Sequence, residues 1–251
     1  MDFHVIIPAR LDSTRLPGKV LIDIGGKPML QHVYENARES GANSVVIATD
    51  NNQVAEVAEG FGATVCMTSS DHQSGSERLA EAVEARDYEP DEIVVNLQAD
   101  EPFMPPKVIR QVAAALDDHS NVKVASVCEA MTSVDELLDP NTVKVILNRR
   151  HFAMYFSRSP VPWQKALDQQ SGEIDFNNCY YRHIGIYASR VSFLGEYIEI
   201  PSCPLEGLEK LEQLRILWNG IKIFMTISDT AIPPGIDTES DLKRARDYIK
   251  K

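Results

Sequence analysis

Long apolar runs, an excess of positive charge and paired cysteines are all missing from this chain of 251 residues. No stretch approaches the roughly 20 apolar residues of a membrane-crossing helix. The N-terminus, Met1-Asp2-Phe3-His4, has no cationic segment ahead of an apolar one, so no signal peptide is expected. A formal net charge of -12 argues against a broad surface for nucleic acid or anionic lipid. The cysteines Cys66, Cys128, Cys179 and Cys203 are scattered, with no CxxC pair and no metal-ligand spacing. Free thiols are therefore expected, not disulfides or a zinc site. Neither a P-loop, GxxxxGK followed by Ser or Thr, nor a dinucleotide fingerprint, GxGxxG, occurs. These absences predict a cytoplasmic protein with neither membrane nor nucleic acid as partner.

What is present is strand-helix alternation. Apolar runs at 3–7, 44–49, 63–68 and 92–97 read as strands. Between them, 28–40, 53–61 and 76–85 repeat apolar residues at helical spacing; in the first, Met29, Leu30, Val33, Tyr34 and Ala37 share a face. That rhythm implies a mainly parallel sheet covered on both faces. It changes after Asp100. A helix is predicted over 105–117 and strands over 123–128, 142–147 and 151–157, the last two as a hairpin that brings in antiparallel pairing. Residues 161–180 are polar and irregular and read as a mobile loop near an acceptor site. A strand at 184–188, a helix at 205–218 with Leu205, Leu208, Leu211, Leu214 and Trp218 on its apolar side, a strand at 222–227 and a helix at 238–250 complete the chain. Trp163 and Trp218 read as packing residues. The economical picture is one α/β domain with an antiparallel subdomain.

Chemistry concentrates at the ends of the predicted strands. The first strand runs into Pro8-Ala9-Arg10 and then Ser13-Thr14-Arg15-Leu16-Pro17-Gly18-Lys19. Ligands of open α/β sheets bind at the carboxyl ends of strands. Arg10 and Arg15 can chelate phosphate oxygens, Lys19 adds a point charge, and Gly18 would let the backbone approach. On charge alone, a solvated loop balancing an acidic surface reads as well. The fourth strand ends in Gln98-Ala99-Asp100-Glu101-Pro102, and an aspartate beside a triphosphate suits Mg²⁺. Turn roles for Asp100 stay open. Asp237, in Gly235-Ile236-Asp237-Thr238, precedes a helix and reads equally as an N-cap.

These stretches, with Ala48-Thr49-Asp50, Asp71-His72-Gln73-Ser74-Gly75-Ser76-Glu77-Arg78, Tyr155-Phe156-Ser157-Arg158, Arg182-His183-Ile184-Gly185-Ile186-Tyr187 and Leu211-Glu212-Gln213-Leu214-Arg215, stand in an order that resembles the 3-deoxy-manno-octulosonate (Kdo) cytidylyltransferases from end to end. The resemblance implies a glycosyltransferase-A-like nucleotidyltransferase fold. Its nucleotide-binding half would span about 1–117, and its sugar-binding and dimerisation half about 118–251. It implies a homodimer that makes CMP-Kdo and pyrophosphate from CTP and Kdo with Mg²⁺, for lipopolysaccharide biosynthesis. By motif match, Arg10, Arg15 and Lys19 would hold the triphosphate, and Pro8, Ala9, Ser74 and Gly75 would line the cytosine and ribose site. Asp100 and Asp237 would hold the metal, and Arg10, Lys19 and the two aspartates would carry catalysis. Gln98, Arg158, His183, Tyr187, Glu212 and Gln213 would face the sugar, with Arg158 and His183, beside Arg182, turned to its carboxylate.

Two departures stand out. Ala99 occupies a position where the family usually has glycine, which would crowd the site if positive φ were required there. Glu239 replaces a proline after Asp237-Thr238. On its own, His183 also reads as a structural histidine. Glu209, Glu212 and Gln213, at helical spacing, also read as a solvated face. Two other activities stay open: a cytidylyltransferase for 8-amino-Kdo or a sialic acid, and a non-catalytic nucleotide-sugar sensor.

Overall fold

A computed structural model describes residues 1–13, 15–72, 75–164, 175–176 and 179–249. Its strands are β1 (Phe3–Pro8), β2 (Asp23–Ile24), β3 (Lys27–Pro28), β4 (Ser44–Thr49), β5 (Thr64–Met67), β6 (Ile93–Asn96), β7 (Val124–Ala130), β8 (Lys144–Leu147), β9 (Ala153–Ser157), β10 (Tyr181–Arg190) and β11 (Ile223–Ser228). Its helices are α1 (Met29–Glu39), α2 (Asn52–Gly60), α3 (Gly75–Glu84), α4 (Pro106–Asp117), α5 (Val134–Leu138), α6 (Val191–Glu199), α7 (Pro204–Glu209), α8 (Gln213–Trp218) and α9 (Glu239–Ile249). A single 3₁₀ turn covers Lys19–Leu21.

The central sheet runs β11-β7-β10-β6-β1-β4-β5, with the β8–β9 hairpin attached to β10. β1 pairs in parallel with β4 and β6, β4 with β5, and β7 with β11. β10 alone on this path runs against its neighbours, pairing antiparallel with both β6 and β7. The carboxyl ends of β1, β6, β7 and β11 therefore share one rim with the amino end of β10. That topology is why residues distant in sequence can meet.

Every residue of β1 is buried, because both faces of the sheet are covered. Phe3, Val5 and Ile7 join one apolar cluster with Leu30, Val33, Ile109 and Val112, while Ile6 packs on the opposite face with Val46, Leu79, Val94 and Leu194. The predicted face of α1 is the buried one. Asn51 caps α2, its Oδ1 accepting from the backbone N–H of Gln53 and Val54. A second cluster joins β7 to β11 with α6 to α8 through residues such as Phe156, Phe193, Leu211 and Met225.

Several expectations change. The helix expected over 205–218 is two, α7 and α8, separated at Lys210, whose φ of 55° is left-handed. The break turns Leu208 out to solvent, and Trp218 and Trp163 are also exposed, so these tryptophans are not core residues. α6 was not anticipated. The segment 161–180 lies largely outside the described residues. All four cysteines are free thiols; Cys128 and Cys203 are buried, Cys66 partly so, and Cys179 is exposed. Among the described residues no helix is long and apolar enough to cross a membrane.

Candidate active site

The cationic loop and the two aspartates converge on the shared rim. Gly18 adopts a left-handed φ of 65°, and its N–H is spent on the Leu11 carbonyl at 3.2 Å. Its part is thus to turn the chain so that Lys19 opens the 3₁₀ turn facing inward. Lys19 Nζ donates to Asp100 Oδ2 at 2.5 Å and to Asp237 Oδ1 at 2.9 Å. Arg15 reaches the other oxygen, Oδ2, of Asp237 at 2.9 Å. Burial acts to lower the Lys19 pKa, but Asp100 and then Asp237 outweigh it, and the ammonium is held above the ordinary lysine value. Arg10 stands two residues past the end of β1 and is half-buried.

Asp237 is not the cap of α9. Thr238 takes that place, its Oγ1 accepting from Asp241 N at 3.3 Å while Asp241 Oδ2 accepts from Thr238 N at 2.9 Å. This reciprocal box leaves the Asp237 carboxylate to the cations, and no proline is needed to start the helix. The Asp237 segment is fastened to the Asp100 segment by Ile236 N donating to Asp100 O at 2.9 Å. Gly235 permits that approach, since a Cβ there would lie 2.9 Å from Glu101 Oε1 and 3.2 Å from Asp100 O. Burial, and then the Asp100 carboxylate, push the Glu101 carboxyl up to about 8. Ala99 is buried in the sheet core and is not among the positive-φ residues, so its methyl is accommodated without backbone strain.

Among the described residues no group of three or more His, Cys, Asp or Glu gathers as a metal cage. Asp100 and Asp237 nevertheless fit Mg²⁺. They bracket a cationic group from two sides, and Mg²⁺ is bound by one or two carboxylates together with phosphate oxygens and water.

Beside this cluster opens a cavity of about 480 Å³, lined among others by Gly75, Asn96, Gln98, Glu101, Arg182 and His183. Tyr187, Glu212, Gln213 and Gly235 also line it, so Glu101 and Gly235 join cavity and ion cluster. Ser76 at the start of α3 donates to Glu212 Oε2 at 2.9 Å, tying one wall to the other. The break at Lys210 has a chemical use. Glu209 points away to accept from Ser157 Oγ at 2.7 Å and Arg158 N at 2.9 Å, while Glu212 and Gln213 face the cavity. The three do not form one solvated helical face.

Burial pulls the His183 pKa down to about 3, so its imidazole is neutral; Nε2 pairs with Ser126 Oγ at 3.0 Å, and Ser126 donates to the Ile186 carbonyl. It therefore meets a ligand as a dipole, not as a cation for a carboxylate. Arg158 is not a lining residue. Its guanidinium donates to the carbonyls of Glu209 and Pro140, at 2.8 and 3.0 Å. Among the described residues, the cations that line the cavity are Arg182 and Lys210. Arg182 is anchored to Glu129 at 2.5 Å and to the Ile232 carbonyl at 2.8 Å.

Of the expected nucleotide residues, Pro8 ends β1 and Gly75 packs over it, 4.0 Å away for a Cβ. Ala9 is buried in the core, and its N–H bonds the Ala48 carbonyl at 2.8 Å, so it supports the site from beneath. Ser74 lies outside the described residues. The motif residues Asp50 and Arg78 form a clamp instead of a ligand site. Arg78 is fully buried, pairs with Asp50 at 2.6 Å and also donates to Thr68, tying α3 to the ends of β4 and β5. Sequence reasoning missed Asn96 and Gly235. The first interrupts an apolar run, a signal that was available; the second acts only through a contact across the fold.

The comparisons agree with this layout. Residues 4–223 match the family model described as Cytidylyltransferase. A 3-deoxy-manno-octulosonate cytidylyltransferase of Coxiella burnetii (strain Dugway 5J108-111) is 58% identical over 99% of this chain and all of its own length. One of Hahella chejuensis is 49% identical over 99% of this chain and 98% of its own. A solved CMP:2-keto-3-deoxy-manno-octonic acid synthetase, complexed with CTP, superposes with a TM-score of 0.90 at 39% identity, over 100% of this chain and 99% of that one. A cavity joined to a rim of cations and acids, together with relatives that match almost residue for residue in length, assigns the chain to the 3-deoxy-manno-octulosonate cytidylyltransferases, within the cytidylyltransferase family.

Proposed function

We propose that this chain transfers CMP from CTP to Kdo, giving CMP-Kdo and pyrophosphate for lipopolysaccharide biosynthesis. The observation that carries the reading is the meeting of Lys19, Asp100 and Asp237 beside a sugar-sized cavity lined by their neighbours Glu101 and Gly235. Similarity to enzymes of that name supports it.

Both substrates are anions, so the site must screen charge before it can align atoms. Arg10, Arg15 and Lys19 cradle the triphosphate, and Lys19 swings from its carboxylate partners toward phosphate oxygen. Asp100 and Asp237 would hold Mg²⁺, which when bound would supply positive charge to the phosphates and make a nearby hydroxyl more acidic. Pro8 and Gly75 border the nucleoside. Gln98, His183, Tyr187, Glu212 and Gln213 orient the sugar, and Arg182 and Lys210 offset its carboxylate. The anomeric hydroxyl then attacks the α-phosphorus in line and pyrophosphate leaves. Positioning and charge do the work, with no covalent enzyme intermediate.

We also place the reaction in the cytoplasm and expect a homodimer. Apolar side chains exposed on the second half, Met154, Leu208 and Trp218, are surface that a second copy would cover. Light scattering of the purified protein measures that state. The activity is tested by pyrophosphate release with each of four nucleotides against Kdo, 8-amino-Kdo and sialic acid. Turnover confined to CTP with Kdo is expected; preference for another nucleotide or another sugar refutes the assignment.

A further inference from the structure

The cavity floor holds two polar atoms that the protein leaves unused. Val94 of β6 packs into the apolar cluster beneath α3 and α6. Two residues on, the same strand face carries Asn96, at the cavity wall. Asn96 is only 8% exposed, and its Oδ1 has no hydrogen-bond partner among the described residues. Its neighbour across the antiparallel pairing is Tyr187, whose hydroxyl is likewise buried and unpartnered. Of the polar groups around them, Glu212 accepts from Ser76 and His183 shares Ser126.

A buried acceptor without a partner opposes folding, and a strand end with a purely structural task would be better served by Val or Leu. A visiting group that donates a hydrogen bond accounts for an amide here. A hydroxyl fits best. Asn96 carries no charge to attract a carboxylate, and the adjacent phenol is also a neutral donor and acceptor.

We infer that Asn96 is a further specificity residue of this enzyme, its Oδ1 accepting a hydrogen bond from one hydroxyl of the bound acidic sugar beside the position read by Tyr187. The inference rests on the Kdo reading above. It also makes the cavity selective, because a sugar lacking that hydroxyl leaves the acceptor buried and unpaired.

The test compares wild type, Asn96→Leu and Asn96→Ala by melting temperature and by kinetics with CTP, Kdo and Kdo analogues each lacking one hydroxyl. Leu matches the shape of Asn and needs no partner. Asn96→Leu is expected to keep or raise the melting temperature, to raise KM for Kdo about 10-fold or more, and to leave KM for CTP within about twofold. One deoxy analogue, used about 100-fold less well than Kdo by wild type, should be used as well as Kdo by the variant. A kcat/KM for Kdo unchanged in Asn96→Leu, or a fall in melting temperature with both KM values rising together, overturns the inference. If Asn96→Leu does not fold, Asn96→Ala is judged by the KM and analogue criteria. Wild type inert toward Kdo removes the substrate reading and this inference with it, whereas active wild type beside an indifferent variant removes the inference alone.

Discussion

The ion cluster on the rim and the cavity beside it solve opposite problems. At the rim, Lys19 and Arg15 lie in ion-pair contact with Asp100 and Asp237, and Asp237 is nearly half exposed. In the cavity, His183 gives up its charge to burial, Tyr187 holds its phenol proton well above the usual range for the same reason, and Asn96 and Gln98 are neutral by nature. The first arrangement suits a ligand that brings several charges and trades partners with the protein. The second suits a ligand recognised by its hydroxyls, where a wrongly placed charge is expensive. A single chain segment, Gln98 to Glu101, passes from one environment into the other.

Substitutions test this division. Asp100→Ala should abolish Mg²⁺-dependent pyrophosphate release, by about 1,000-fold or more, with circular dichroism unchanged. Near-wild-type activity would break the pairing of rim and metal. Lys19→Ala should raise KM for CTP about 100-fold and KM for Kdo little, because its charge serves the phosphates and not the sugar. Equal effects on both substrates would erase the boundary between the two regions. Gly235→Ala is expected to lower kcat about 10-fold by forcing Glu101 and the Asp100 carbonyl away from the Asp237 segment. A crystal structure of that variant locates the shift.

The smallest effect concerns pH. His183 has a folded pKa of about 3, below its ordinary 6.5. Between those values the unfolded chain binds a proton that the folded one refuses, so stability rises with pH across the window and is lost as pH falls below 6.5. The slope from this residue is about 1.4 kcal/mol per pH unit. Urea unfolding of wild type and His183→Asn between pH 7 and 4.5 should differ by that trend; parallel curves would mean that the imidazole is charged in the folded protein.

The architecture was legible in the sequence where periodicity was strong. The parallel strands, α1 and α4 lie within a residue or two of expectation, because apolar runs bounded by turn residues have few other uses. The charged rim was legible from residue type and its place after strands. What escaped depended on the third dimension. Leu205 to Trp218 keeps helical spacing, and nothing local announces that Lys210 takes a left-handed conformation. Arg158 reads in sequence as a ligand for an anion, and nothing local shows that its guanidinium donates to the carbonyls of Glu209 and Pro140. Asp237 and Thr238 are neighbours that can both cap a helix, Asp the better on propensity, and the pairing with Asp241 gives the place to Thr238. Arg78 is the sharpest case: a cation in a ligand motif, fully buried as an internal brace.

The reversed strand β10 sets the order in which the molecule can be finished. It fills the slot between β6 and β7, both of which leave the ribosome well before it. Until residues 181–190 arrive, β7 stands apart from the β6-β1-β4-β5 block with both edges raw, because its two partners, β10 and β11, lie later in the chain, and Asp237 is made later still. Maturation should therefore be a late, all-at-once event governed by long-range strand insertion, slow for a chain of this size and open to mispairing while the gap waits.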